Sequence, residues 1–157
     1  MSRLIQAALT LLTAAVLSGC GPATDPNRVF PTDPLINPNT ATEAELSAIP
    51  GMSVEAVAAV VNGRPFDTPT AMDTAIGASL SEEAKSGVYE RMFVPVGLNT
   101  GAEADYKLIP SSLSPGHLAH EFDEYRPYES IQQFQDEMSK YVNDAEVTYL
   151  TRFVTLD

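Results

Sequence analysis

His117 and His120 are the side chains of this sequence best suited to metal chemistry. They stand three residues apart with Glu121 and Glu124 close by, and a helix would bring such positions to one face. Imidazole nitrogens and carboxylate oxygens are ordinary zinc ligands. Two histidines on an exposed acidic helix are also common without a metal, and no further ligand pattern accompanies them. We therefore expect no metal site, and keep His117 and His120 as the candidates should an ion be bound.

Signatures of other catalytic sites are missing from the sequence. It contains no Cys-x-x-Cys-His haem site, no glycine-rich nucleotide loop and no Gly-x-Ser-x-Gly elbow. Aspartates and glutamates are numerous, but no spacing isolates a catalytic pair. We expect a protein that is not an enzyme and has no small-molecule substrate or cofactor. A metal-dependent hydrolase ranks behind the two binding functions considered below.

The composition favours a folded, acidic protein. Of 157 residues, 44% are hydrophobic, which is enough for one sizeable core or two small ones. There are 21 acidic residues against 9 basic residues, and the formal net charge is -12. This charge opposes binding to a polyanion such as DNA.

The single cysteine lies in a sequence context typical of lipid attachment. An apolar segment from Leu4 to Val16 follows one arginine and leads into Leu17-Ser18-Gly19-Cys20, which resembles a bacterial lipobox. The resemblance implies that residues 1–19 are a signal peptide and that Cys20 is the acylated first residue, carrying a diacylglycerol. The alternatives are an ordinary secretory signal and a buried thiol. The apolar segment is shorter than the ~20 residues of a membrane span.

Export and anchoring follow from the same resemblance. The protein is expected on the extracytoplasmic side of a membrane, and Gly21 after the cysteine favours the outer membrane if the host has one. Residues 20–38 carry five prolines and predict an extended tether of roughly 55 Å at full reach. The alternative is an arm that packs on the folded domain through its apolar residues, which are Val29, Phe30, Leu35 and Ile36.

Beyond the tether, the sequence repeats itself. The segment from Asn39 to Pro50, NTATEAELSAIP, matches NTGAEADYKLIP from Asn99 to Pro110 at a shift of 60. Arg64-Pro65-Phe66 recurs as Arg126-Pro127-Tyr128, and Phe93-Val94 as Phe153-Val154. We predict two tandem repeats, residues 39–98 and 99–157.

Each repeat predicts four short helices, so the expected fold class is mainly α. Thr42 with Glu45 forms a capping-box pattern, Ser53 precedes a helix that Gly63 ends, and further helices are expected near 70–76 and 81–89. In the second repeat the capping-box pattern recurs at Ser130 with Gln133 and at Asn143 with Glu146. The apolar stripe of Ile131, Phe134 and Met138 is interpreted as core.

These features together resemble the helix-hairpin-helix module of ComEA-type competence proteins and related lipoproteins. The resemblance rests on Asn39-Thr40-Ala41, on Leu46, on Ile49-Pro50-Gly51 and on Arg64-Pro65-Phe66, and it covers about residues 36–157. The module is similar to that of the PsbU-type extrinsic subunit of photosystem II, which binds protein. The resemblance implies two tandem helix-hairpin-helix-like repeats, used for binding either DNA or protein.

The hairpin residues weigh against DNA. A phosphate-binding hairpin needs a Gly-apolar-Gly turn that exposes backbone N–H groups at a helix N-terminus. Gly51-Met52-Ser53 keeps one of the two glycines, and Ser111-Ser112-Leu113-Ser114 keeps neither. A competence-type DNA receptor that uses Gly51, Met52 and Ser53 therefore remains the alternative function.

The preferred function is that of an accessory subunit. Loss of the phosphate-binding glycines leaves Met52 and Leu113 at the hairpin tips, where an apolar side chain suits a protein contact. Arg64 and Arg126 either complement the end of the preceding helix or bind a carboxylate of the partner. We expect a membrane-anchored lipoprotein that docks on a larger extracytoplasmic membrane complex through these four residues.

Overall fold

The computed structural model describes residues 28–157, and the predicted mainly α fold is confirmed for this part of the chain. The predicted signal peptide and Cys20 lie outside the described residues. Eight α-helices follow one another within 28–157: α1 Glu43–Ser47, α2 Val54–Gly63, α3 Pro69–Ile76, α4 Glu82–Tyr89, α5 Glu103–Tyr106, α6 Pro115–Glu124, α7 Ile131–Met138 and α8 Asp144–Thr151. A 3₁₀ turn, Gly77–Ser79, extends α3, and two short strands are β1 Val96–Gly97 and β2 Val154–Thr155.

Side-chain caps explain where these short helices begin. Seven of the eight have a serine, threonine or asparagine at the N-cap whose side chain accepts a backbone N–H of the first turn, namely Thr42, Ser53, Thr68, Ser81, Ser114, Ser130 and Asn143. Only α5 begins without a side-chain cap. Such caps stabilise a helix start by about 1 kcal/mol. They matter here because no helix of the described chain exceeds ten residues.

Two of the three predicted capping boxes are only half formed. Thr42 and Glu45 make the complete box, with each side chain bonded to the other residue's backbone. The Gln133 amide oxygen accepts the N–H of Glu129 and not that of Ser130. The Glu146 carboxylate likewise does not accept the backbone N–H of Asn143, because it reaches a distant loop described below.

The segment before the first helix of each half pairs in parallel with the segment after the fourth. Ile36 bridges Met92 in the first half, and Val96 pairs with Val154 in the second half. Because Val154 occupies the position of Met92, the two halves are related by 62 residues at this end. The alignment of Phe93-Val94 with Phe153-Val154, which assumes a shift of 60, was therefore wrong by two residues.

The proline-rich arm packs on the folded domain from residue 28 onward. Phe30 is buried, and its ring lies 4.7 Å from that of Tyr149 on α8. Arg28 forms an ion pair with Glu90, and the Arg152 guanidinium donates to the carbonyl of Pro31 at 2.5 Å. Val29 remains 90% exposed. Residues 28–38 thus follow the packed-arm alternative, and the extended-tether prediction was wrong for this stretch.

The two halves share one hydrophobic core. Phe93 of the first half meets Phe153 of the second edge to face, with ring centroids 5.2 Å apart. A polar contact joins the halves as well, since the buried carboxylate of Asp105 accepts the N–H of Thr70 at 2.9 Å and its hydroxyl at 2.5 Å. Within residues 28–157, no helix has the length and apolar character needed to cross a bilayer.

Candidate functional site

The Asn and Arg-Pro-aromatic motifs of each half come together in the structure. The amide group of Asn39 pairs with the backbone of Phe66, donating to its carbonyl at 2.9 Å and accepting its N–H at 2.7 Å. Asn99 makes the same pair of bonds with Tyr128, at 3.0 and 2.7 Å. Each asparagine therefore closes a loop of nearly thirty residues.

Arg64 and Arg126 complete the same arrangement. Arg64 donates to the carbonyls of Pro38 and Ala41, the latter at 2.7 Å. Arg126 donates to the carbonyls of Leu98 and Gly101, at 2.8 and 2.6 Å. These carbonyls belong to the segment before the first helix of each half and not to the helix that the arginine follows. Both guanidinium groups have intramolecular partners, which favours a structural role over clamping a partner's carboxylate.

The second arginine has additional contacts that the first lacks. Arg126 hydrogen-bonds the hydroxyl of Tyr106 and lies 2.6 Å from a carboxylate oxygen of Asp123. Burial raises the pKa of the Tyr106 hydroxyl, and the nearby positive charge of Arg126 opposes that rise. The Tyr106 hydroxyl in turn donates to the carbonyl of Gly97 at 2.6 Å. Leu46 fills the corresponding position of the first half without a polar group.

The first hairpin packs against the fourth helix of its own half, α4. Gly51 adopts a positive φ of 86°, and a Cβ added there would lie 3.3 Å from the Cβ of Ala84 on α4. The hydroxyl of Ser53 caps α2 by accepting the N–H of Ala56 at 3.0 Å. Met52 is half-buried and packs against the core. The glycine is therefore used for close packing within the chain as well as for the turn.

The second hairpin is held by a buried carboxylate. Glu146, 2% exposed, accepts the backbone N–H of Ser112 at 2.6 Å and the hydroxyls of Ser111 and Ser112 at 2.8 and 2.5 Å. Glu146 and Ala84 both stand three positions after the N-cap of the last helix of their half. The second hairpin has one more residue than the first, because four positions separate Pro110 from the N-cap Ser114 and three separate Pro50 from the N-cap Ser53. The longer, charged side chain at the position of Ala84 accommodates this extra residue.

This contact bears directly on phosphate binding. The hairpin N–H of Ser112, which could face a phosphate in a DNA-binding hairpin, already donates to an internal anion. An added phosphate would compete with the Glu146 carboxylate and be repelled by it. The sequence predicts only a helix-capping role for Glu146, although its alignment with Ala84 indicates a different role.

The apolar side chain exposed beside the first hairpin is Val54 and not Met52. Val54 is the first residue of α2 and is 82% exposed. Leu113, like Met52, is half-buried and packs against the core. The sequence alone predicts Met52 and Leu113 as the exposed apolar residues, because it does not determine which way the hairpin tips turn. Val54 and Val29 are the solvent-exposed valines that the tertiary structure identifies among residues 28–157.

A cleft of about 420 Å³ lies between α4 and the second hairpin, and several basic side chains line it. Each has an acidic neighbour in the structure: Arg28 pairs with Glu90, Lys85 lies 3.4 Å from Asp73, and Lys107 lies 2.6 Å from Glu103. The cleft therefore offers little uncompensated positive charge to an anionic ligand.

The two histidines lie on the exposed face of α6. His117 and His120 each contact a glutamate one turn later, Glu121 and Glu124 respectively. The structure therefore brings one ligand-type atom each of His120, Glu121 and Glu124 within 4.8 Å of one another, and His117 contacts Glu121 at the edge of this group.

Comparisons with known proteins give no match for this chain. No family model fits it, and neither the curated proteins nor the solved structures contain a significant match.

Proposed function

We propose that this chain is an exported lipoprotein that serves as a non-catalytic accessory subunit of an extracytoplasmic membrane complex. The anchor is the acylated Cys20, and the folded part binds a protein partner. The observation that carries the proposal is the packing of residues 28–38 on the domain, because it limits how far the domain can stand from the anchor.

The length of chain between anchor and domain sets this limit. Residues 21–27 separate Cys20 from Arg28, where packing on the domain begins. The eight residue steps from Cys20 to Arg28 span at most about 29 Å. A domain kept within that distance of the bilayer encounters membrane-bound partners at a high effective concentration. This geometry suits an accessory subunit better than a receptor that must reach into the surrounding medium.

Charge and hairpin contacts favour a protein partner over nucleic acid. The net charge of -12 opposes phosphate, and the second hairpin's N–H is bonded to Glu146. Neither feature hinders a protein contact. Val54 offers an apolar anchor beside the first hairpin, and its exposure means that no internal packing depends on it.

Extraction of native membranes in mild detergent tests this function. Wild-type protein should migrate with a complex much larger than 16.9 kDa. Val54→Asp should release it, since a charge in an apolar contact is costly. Ala71→Asp is the matched control, because it also places an aspartate in the exposed first turn of a helix. Migration of the wild type as a monomer would contradict the accessory-subunit function.

A further inference from the structure

Four side chains with metal-binding atoms form one stripe along α6. His117, His120, Glu121 and Glu124 occupy positions i, i+3, i+4 and i+7, which share one face of a helix. They supply two imidazole nitrogens and two carboxylate groups. Three belong to exposed residues, so an ion could reach them from solvent, whereas Glu121 is 4% exposed.

The distances between their atoms suit a small divalent cation. Nε2 of His117 lies 3.0 Å from Oε1 of Glu121, and Nε2 of His120 lies 3.4 Å from Oε2 of Glu124. Ligand atoms bound at 2.0–2.2 Å to one tetrahedral Zn²⁺ stand roughly 3.3 Å apart. One ligand atom from each of His120, Glu121 and Glu124 lies within 4.8 Å of the other two. Small rotations of exposed side chains would close this set around an ion.

One of the two carboxylate oxygens of Glu121 is left without a partner by the described part of the protein. This oxygen, Oε2, is buried and has no hydrogen-bond partner among residues 28–157. The Tyr141 hydroxyl is nearby, and hydrogen bonding to Tyr125 together with the Glu121 carboxylate raises its pKa. That hydroxyl bonds Tyr125 at 2.6 Å and forms no hydrogen bond of normal geometry with Glu121. A buried carboxylate oxygen without a donor is costly unless a cation approaches it.

The first half of the chain shows that the fold does not require this carboxylate. Counting from the N-caps Ser53 and Ser114, helices α2 and α6 correspond at a shift of 61. The counterparts of the four ligand-type residues are all small or apolar: Ala56, Ala59, Val60 and Gly63. Val60 is completely buried where α6 has Glu121. The acid thus occupies a core position that the other half fills with a hydrocarbon side chain.

From this cluster we propose a binding site for one Zn²⁺-like divalent transition-metal ion on α6. His120 supplies a nitrogen ligand, and Glu121 and Glu124 supply oxygen ligands. His117 contacts Oε1 of Glu121 at 3.0 Å, at the edge of this set. The mixed imidazole and carboxylate donor set suits Zn²⁺ better than Ca²⁺ or Mg²⁺, which prefer oxygen ligands alone. The two carboxylates balance the charge of the ion, and the ion provides the missing partner of Glu121.

The test measures Zn²⁺ binding to the full chain in mild detergent, after treatment with a chelator and its removal. Cys20→Ala is introduced in every protein so that the single thiol cannot bind the metal. Calorimetric titration should saturate at one Zn²⁺ per chain, and bound metal should raise the Tm. Glu121→Val, which copies Val60 of the other half, and His120→Ala, which copies Ala59, should each weaken binding by at least about tenfold. Glu83→Gln, which alters an exposed carboxylate on α4, should bind as tightly as the parent protein.

Two results would overturn the proposal. One is a parent protein that fails to saturate with Zn²⁺ and gains no thermal stability from it. The other is a folded Glu121→Val or His120→Ala protein that binds Zn²⁺ as tightly as the parent. His120 is exposed, so its substitution keeps the test decisive should Glu121→Val alter the packing of α6.

Discussion

The carboxylate of Glu146 on α8 accepts the backbone N–H of Ser112 in the second hairpin at 2.6 Å, across 34 residues of sequence. The same side chain accepts both serine hydroxyls of that hairpin. In the first half, Gly51 instead packs closely on Ala84. Hydrogen bonds to a buried carboxylate thus fix the second hairpin to the last helix of its half, and close backbone packing fixes the first.

Replacing Glu146 should destabilise the protein. Glu146→Ala removes the acceptor of three hydrogen bonds in a buried site, and we expect a loss of about 1–3 kcal/mol in the free energy of unfolding. Glu129→Ala, which removes an exposed glutamate side chain, should change it by less than about 0.5 kcal/mol. Urea denaturation followed by circular dichroism measures both. Equal effects of the two substitutions would argue against a structural role for the Glu146 contact.

The two motif arginines should resist conservative replacement. Lysine carries one ammonium group and cannot reproduce the two-carbonyl contact of a guanidinium. We expect Arg64→Lys and Arg126→Lys each to cost about 1–3 kcal/mol in the free energy of unfolding, with the larger cost at Arg126 because of Tyr106 and Asp123. Arg91→Lys is the control, since the Arg91 side chain makes no hydrogen bond within the described chain. Stability of both variants equal to that of wild type would reopen a partner-binding role.

The arm provides a matched pair of neighbouring residues. Phe30→Ala removes a buried ring that packs on Tyr149, and should lower the free energy of unfolding by about 3 kcal/mol and speed tryptic cleavage after Arg28. Val29→Ala changes a residue that is 90% exposed and should leave both quantities nearly unchanged. If Phe30→Ala were cleaved no faster than Val29→Ala, the packed arm would not be what restrains the domain.

Lipidation is tested in cells. If Cys20 is acylated, Cys20→Ala should abolish incorporation of labelled fatty acid and leave the chain unprocessed at that position. Membrane fractionation should then show loss of the anchored form. Fatty-acid labelling that persists in Cys20→Ala would contradict the lipoprotein assignment.

Duplex DNA provides the test of the alternative function. At ~150 mM salt, ordinary non-specific DNA binders show affinities of about 10⁻⁴–10⁻⁶ M, and we expect this protein to bind more weakly than that. The reason is the net charge of -12 together with the occupied N–H of Ser112. Micromolar binding in fluorescence anisotropy that weakens steeply with added salt would favour the competence-type receptor.

The sequence by itself determined the local elements, because their signals are local. Short side chains such as Ser53 and Ser81 cap the helices that follow them, and the bond from cap to first turn involves residues only three positions apart. The alternation of these caps with apolar stripes was enough to predict a mainly α fold. The repeat could be recognised from the sequence because both halves retain the asparagine and the Arg-Pro-aromatic motif.

The tertiary structure decided which partners and surroundings each polar side chain has. Glu146 follows an N-cap, as a capping-box residue does, yet its carboxylate turns to a hairpin 34 residues away. Glu121 lies on an acidic helix, yet it is 4% exposed and occupies the position of the buried Val60 of the other half. Arg64 follows a helix, yet its donors meet the carbonyls of Pro38 and Ala41. Long side chains can reach in several directions from one backbone position, and only the packed neighbours determine which direction is taken.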